Sequence, residues 1–197
     1  TPTATLMDFT SSLSPGTVQN GTAAAMVAIG GNTITEINAS NIGITTPITQ
    51  VKYIWTLLNL TKFRCSTNAS LTDIGGMPPS IITLSCDNCS LTRIGSLKYT
   101  SATTLNCQGN KLTSLPDLPP SMVYVNCTSN LYISTLPTLP NGLTALYCGN
   151  NAISTIPTSF PNTLVTMSFS NNNISSWYTA FPTALTYFDC SHNSITD

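Results

Sequence analysis

Apolar and polar residues follow one order that recurs along most of the chain. Leu60, Ile81, Ala102, Met122, Leu143, Leu164 and Leu185 each open it. Three residues on stands a second apolar position, held by Phe63, Leu84, Leu105, Val125, Leu146, Met167 and Phe188. Two further on comes a small buried type, Cys65, Cys86, Cys107, Cys127, Cys148 and Cys190, with Phe169 in the same slot. Three residues later sits Asn68, Cys89, Asn110, Asn130, Asn151, Asn172 or Asn193. The spacing is 21 residues, with one step of 20. Matches in register over so many columns define a repeat protein, in which each unit buries its apolar face against the next.

Each slot predicts a local structure. The stretch between the first apolar residue and the cysteine is a short strand, and successive strands stack in parallel ~4.8 Å apart. The asparagine turns the chain off the strand. Its amide pairs backbone groups that the bend would leave buried and unbonded. Cys89 departs from this column and is a weaker donor. Two apolar anchors follow, as in Leu91 and Ile94, Leu112 and Leu115, and Ile153 and Ile156. Ser70 and Tyr132 are one-residue insertions ahead of Leu71 and Ile133. The return is anchored by Met77, Leu97, Leu118, Leu139, Phe160 and Phe181. It is rich in proline, which forbids regular helix and favours extended geometry.

The ends differ from the middle. Residues 1–33 do not repeat and read as an N-terminal cap, or alternatively as an arm reaching a neighbouring subunit. A degenerate first unit spans 34–59, in which Ile42 replaces the ladder asparagine. Val51, Ile54, Trp55 and Leu58 there fall at helical spacing and predict one short helix. Seven units of about 21 residues follow, the last incomplete at Asp197, so that 34–197 form one solenoid. The first residue is Thr1, which suggests that targeting information has been removed. The last repeat leaves Phe188, Cys190 and Ile195 without a following layer. Either the natural chain continues, or another copy covers this end and a filament or array results.

The column L-x-x-L-x-C-x-x-N-x-L resembles the leucine-rich repeat family. The stretch from Leu112 to Met122, with Pro116, Pro119 and Pro120, is similar to the short, proline-rich bacterial subclass found in secreted effectors of the IpaH and YopM kind. The resemblance covers 34–197. It implies an α/β-type leucine-rich repeat solenoid with a parallel β-sheet on the concave face. The convex returns would be mostly extended or 3₁₀, with little α-helix. Nothing in the chain resembles the ubiquitin-ligase domain that some such effectors carry.

Composition narrows the function. Only 7% of residues are charged and the net charge is −1, so no basic patch is available for nucleic acid. No apolar run approaches the ~20 residues of a membrane helix. The polar surface is Ser, Thr and Asn, a type common on secreted, cell-surface and particle-borne proteins. The cysteines recur at the repeat period in a slot that also accepts Phe169, so they read as reduced core thiols rather than disulfides. Cys86 and Cys89 form a C-x-x-C, but both fall on repeat slots. No cofactor and no metal site is expected. His192 is the only histidine and has no triad partners, which argues against an enzyme.

Strand alternation places three columns on the concave face. They include Lys62, Tyr124 and Tyr187 in the first, Arg64, Asn106, Asn126, Tyr147 and Asp189 in the second, and Asp87 in the third. Tyr124, Asn126 and Tyr147 should form one aromatic–amide patch, because tyrosine offers rigid area with a polar tip. The expected role is a non-enzymatic binding or adhesion module for a protein or glycan. The alternatives are a structural subunit assembling end to end, and the recognition domain of a secreted bacterial effector.

Overall fold

The computed structural model describes residues 35–41, 54, 57–177 and 179–196. The N-terminal cap or arm and most of the expected helix lie outside these residues. Of that helix, Ile54 and Leu57 are buried, and Leu57 N–H donates to Ile54 C=O at 3.0 Å, a single 3₁₀-type turn.

Ten strands follow in order: β1 Glu36–Asn38, β2 Lys62–Arg64, β3 Asp73–Ile74, β4 Thr83–Ser85, β5 Arg93–Ile94, β6 Thr104–Asn106, β7 Tyr124–Asn126, β8 Ala145–Tyr147, β9 Thr166–Ser168 and β10 Tyr187–Asp189. Eight of them form one parallel sheet in the order β1-β2-β4-β6-β7-β8-β9-β10. The register is the repeat register: Leu84 pairs with Leu105, Leu105 with Val125, and Val125 with Leu146. Each strand of this sheet is only three residues long because the pattern supplies one inward residue between two outward ones. Among the described residues the returns are extended or turns, and no α-helical element occurs.

The core is one continuous column. Leu60, Phe63, Cys65, Ile81, Leu84, Cys86, Leu105, Cys107 and their equivalents through Phe169 are fully buried. Each such leucine contributes roughly 1.5–3 kcal/mol by leaving water. All seven cysteines are free, and six of them are buried, Cys190 being half-buried. Cys127 Sγ donates to Cys148 Sγ at 3.4 Å, a thiol hydrogen bond and not a disulfide.

The return side carries a feature absent from the expectation. β3 and β5 form a second, two-stranded parallel sheet, in which Gly95 N–H donates to Ile74 C=O at 2.8 Å. A Cβ on Gly95 would lie 2.7 Å from the backbone of Gly75, so only glycine permits this approach. In the next three units the position of Gly95 is taken by Pro116, Pro137 and Pro157. Proline has no N–H to donate, and the small sheet ends where the prolines begin.

The last return also corrects an expectation. Phe181 is not a buried anchor but 51% exposed, and Leu139 is only partly buried. Phe160, Trp177 and Phe181 stack as a triple, with centroids 5.6 and 5.5 Å apart. Trp177 holds the slot that Ile94 and Leu115 fill elsewhere. Phe181 stacks on the Trp177 ring. Phe188 meets Trp177 edge-on at 4.9 Å, and Phe188 and Ile195 are partly buried.

Candidate functional site

The ladder shapes the rim of the outward sheet face. Asn110 Nδ2 donates to the carbonyls of Cys107 at 3.0 Å and of Cys86 in the preceding layer at 2.9 Å. Its Oδ1 accepts from Leu91 N–H at 3.0 Å. Asn130, Asn172 and Asn193 repeat both halves of this arrangement. Asn68 and Asn151 make the same donor contacts. Cys89 supplies the donor through sulfur, its Sγ lying 3.3 Å from Cys65 C=O.

The residue before each ladder position takes left-handed backbone: Thr67, Asn88, Gly109, Ser129, Asn150, Asn171 and His192 have φ between 53° and 66°. Sequence reasoning missed this column, although its Asn and Gly content is the usual signal for that conformation. His192 belongs to it and is exposed.

On the face itself, Lys62 and Arg64 both pair with Glu36 on β1, Lys62 at 3.7 Å. Asp87 is a hub. Its Oδ1 accepts from Ser66 Oγ at 2.6 Å and from Asn106 Nδ2 at 3.1 Å, and its Oδ2 from Asn88 Nδ2 at 2.9 Å. One layer on, Asn126 Nδ2 donates to Gln108 Oε1 at 2.9 Å in the same diagonal manner. Asn126 Oδ1 accepts from Thr128 N–H at 3.1 Å, which fixes the amide. Asn106 Oδ1 is buried without a partner.

Tyr124 on β7 and Tyr147 on β8 meet with ring centroids 5.7 Å apart and planes tilted by 49°. Burial pushes the Tyr124 phenol pKa up and Tyr147 adds to it, while a hydrogen bond from Asn126 opposes them. Tyr124, Asn126 and Tyr147 therefore adjoin one another, and Asn106 joins them through β6. Tyr187 and Asp189 stand apart on β10, with Tyr187 exposed. Backbone and side-chain hydrogen bonds from Ser191 lower the pKa of Asp189. Gly149, in the third column, is buried rather than presented, with Ser170 against it.

The return side holds an open groove of about 680 Å³, lined by Tyr99, Leu118, Pro120, Pro137, Leu139 and others. Among the described residues no three His, Cys, Asp or Glu side chains gather as a metal site. Nor is any helix there long and apolar enough to cross a membrane.

No protein-family model and no curated protein matches this chain. Solved structures do. The functional domain of InlJ from Listeria monocytogenes, which includes a cysteine ladder, is 26% identical with a TM-score of 0.62, covering 85% of this chain and 41% of its own. A Shigella effector leucine-rich repeat domain is 22% identical with a TM-score of 0.66, covering 88% and 74%. YopM from Yersinia enterocolitica WA-314 is 20% identical with a TM-score of 0.55, covering 88% and 47%. The chain thus spans about half of YopM and less of InlJ. The fold is that of bacterial leucine-rich repeat proteins, and the eight-stranded face is its concave side.

Proposed function

We propose that this chain is a non-enzymatic recognition module that binds a protein on its concave sheet, with Tyr124 and Tyr147 at the centre of contact. The observation that carries the reading is the tyrosine pair itself. Two rings stand on adjacent strands, and Tyr124 bonds an amide, Asn126, that is itself fixed by Gln108 and Thr128. Such pre-ordering lowers the entropy lost on binding, and tyrosine is enriched where binding energy concentrates. Beside the pair, Asn106, Gln108 and Asn126 are uncharged, and Asn126 is hydrogen-bonded to Gln108 and Thr128. The solved structures of similar fold include secreted effectors and an internalin, which supports placement outside the producing cell. Adhesion and glycan binding would use the same face.

The test is site-specific photo-crosslinking. A photoreactive residue at position 147 or at position 99, on the return side, is exposed to an array of purified extracellular and host proteins. Capture from position 147, lost on Tyr124→Ala, is the expected result. Capture from position 99 alone would overturn the reading. Light scattering on the same protein reports whether copies assemble through their ends.

A further inference from the structure

The charges on the concave face say what kind of protein segment fits it. The only cations on that face among the described residues, Lys62 and Arg64, sit at its first layers and are both committed to Glu36. From Thr83 on, the three outward columns contain no lysine or arginine. They do contain Asp87 and Asp189. Asp87 is solvated by Ser66, Asn88 and Asn106, all neutral donors, and Asp189 by Ser191 N–H at 3.0 Å. Neutral donors of this kind leave the negative charge of the carboxylate uncancelled. Between the two acids lie Tyr124 and Tyr147, whose ring faces attract cations.

We infer that the concave face receives a basic, extended segment of a protein partner, which crosses the strands from Asp87 past Tyr124 and Tyr147 to Asp189. This deepens the recognition reading and rests on it. Five strand steps separate the two carboxylates, roughly 24 Å at ~4.8 Å per step. An extended chain covers that span with about seven residues. Cations would be set at its two ends, with an arginine or lysine over the tyrosines between them. The Lys62–Arg64 end disfavours a further cation there, so the segment stops at the layer of Asp87. A nucleic acid is excluded by the same charges, since its phosphates would meet two carboxylates.

The experiment uses two fluorescein-labelled peptides, nona-arginine and nona-glutamate, titrated with the full chain at about 0.15 M salt and again at higher salt. Fluorescence anisotropy reads binding. Nona-arginine is expected to bind and nona-glutamate not to, with affinity falling as salt rises. Asp87→Asn and Asp189→Asn should each weaken binding roughly three- to tenfold, the scale of one charge pair on a partly wet face. Tyr147→Leu should weaken it further, and Asp117→Asn on the return side should leave it unchanged. Circular dichroism confirms that each variant is folded. Binding of nona-glutamate, binding of neither peptide, or nona-arginine binding indifferent to both aspartate substitutions would overturn the inference. None of these outcomes bears on photo-crosslinking at position 147, so the broader reading is judged separately.

Discussion

Cys89 Sγ reaches the carbonyl oxygen of Cys65, one layer back, at 3.3 Å. It thereby meets the acceptor that Asn110 Nδ2 meets on Cys86 at 2.9 Å. What Cys89 lacks is the asparagine's carbonyl oxygen. That oxygen is not needed, because Ser70 is inserted in the layer below. The insertion lets Leu71 N–H bond to Asn68 C=O at 2.9 Å instead of to a ladder side chain. The second inserted layer, with Leu131 and Tyr132, lies below Asn151. There the asparagine is kept, and its Oδ1 is buried with no partner.

This relationship predicts unequal costs along one column. Asn110→Cys removes the acceptor of Leu91 N–H and should cost about 1–3 kcal/mol, as should Asn110→Ala. Asn151→Cys removes an acceptor that bonds nothing and should cost distinctly less. Urea denaturation of the three variants checks this. Equal losses for Asn110→Cys and Asn151→Cys would refute the account.

The residues with left-handed backbone, in that column and at Leu131 just after Asn130, predict gains as well as losses. Thr67 is β-branched at φ 60°, and exposed Leu131 stands at φ 64°. Side chains with a Cβ pay roughly 1–2 kcal/mol for such backbone. Thr67→Gly and Leu131→Gly should each therefore raise stability by about 1 kcal/mol. Gly109→Ala should lower it, since Gly109 is at φ 66° and a Cβ would lie 2.6 Å from Asn88 Oδ1. Thermal melts of the single variants give the signs.

Alkaline pH should unfold the protein through its thiols. Burial pushes the pKa values of Cys65, Cys86, Cys107 and Cys148 well above the ordinary thiol range. Folded thiols hold their protons where the unfolded chain would lose them. Their contribution is complete below the unfolded thiol value of about 8.5 and is lost as pH rises beyond it. Each thiol then removes about 1.4 kcal/mol of stability per pH unit. The unfolding free energy should fall steeply above that pH, and Cys148→Val should make the fall shallower. A flat profile to pH ~10 would contradict the burial of these groups.

Thiol labelling should be ordered by layer. Cys190 is half-buried and the other six are buried. An aromatic disulfide reagent should modify Cys190 first in the native protein and the others only on unfolding, because a reagent needs an exposed thiolate. Cys190→Ser should remove the fast phase. Several fast-reacting thiols in that variant would overturn the packing of the cysteine column.

Much of the architecture was legible because the solenoid repeats at a fixed period. A residue 21 positions away is its neighbour in space, so columns in the sequence become columns in the sheet. The inward Leu and Cys positions, the asparagine ladder and the extended returns follow from one unit multiplied. The adjacency of Tyr124, Asn126 and Tyr147 follows in the same way, since all three occupy outward slots on consecutive strands.

Other features depend on what two different layers do to each other, and no single unit states them. The Gly75–Gly95 approach makes a second sheet only because Gly95 lacks a Cβ where the backbone of Gly75 comes close, and the prolines beyond end it. Asp87 becomes a hub only when Ser66 and Asn106 arrive from the layers on either side. Trp177 stacks on Phe160 only because the return of the preceding layer brings that ring beside it. Sequence period determined which residues face in and which face out, because burial of a repeated apolar face is a property of each unit. Tertiary structure decided which polar groups meet and which remain unbonded, because those contacts span layers and respond to each insertion and ring size.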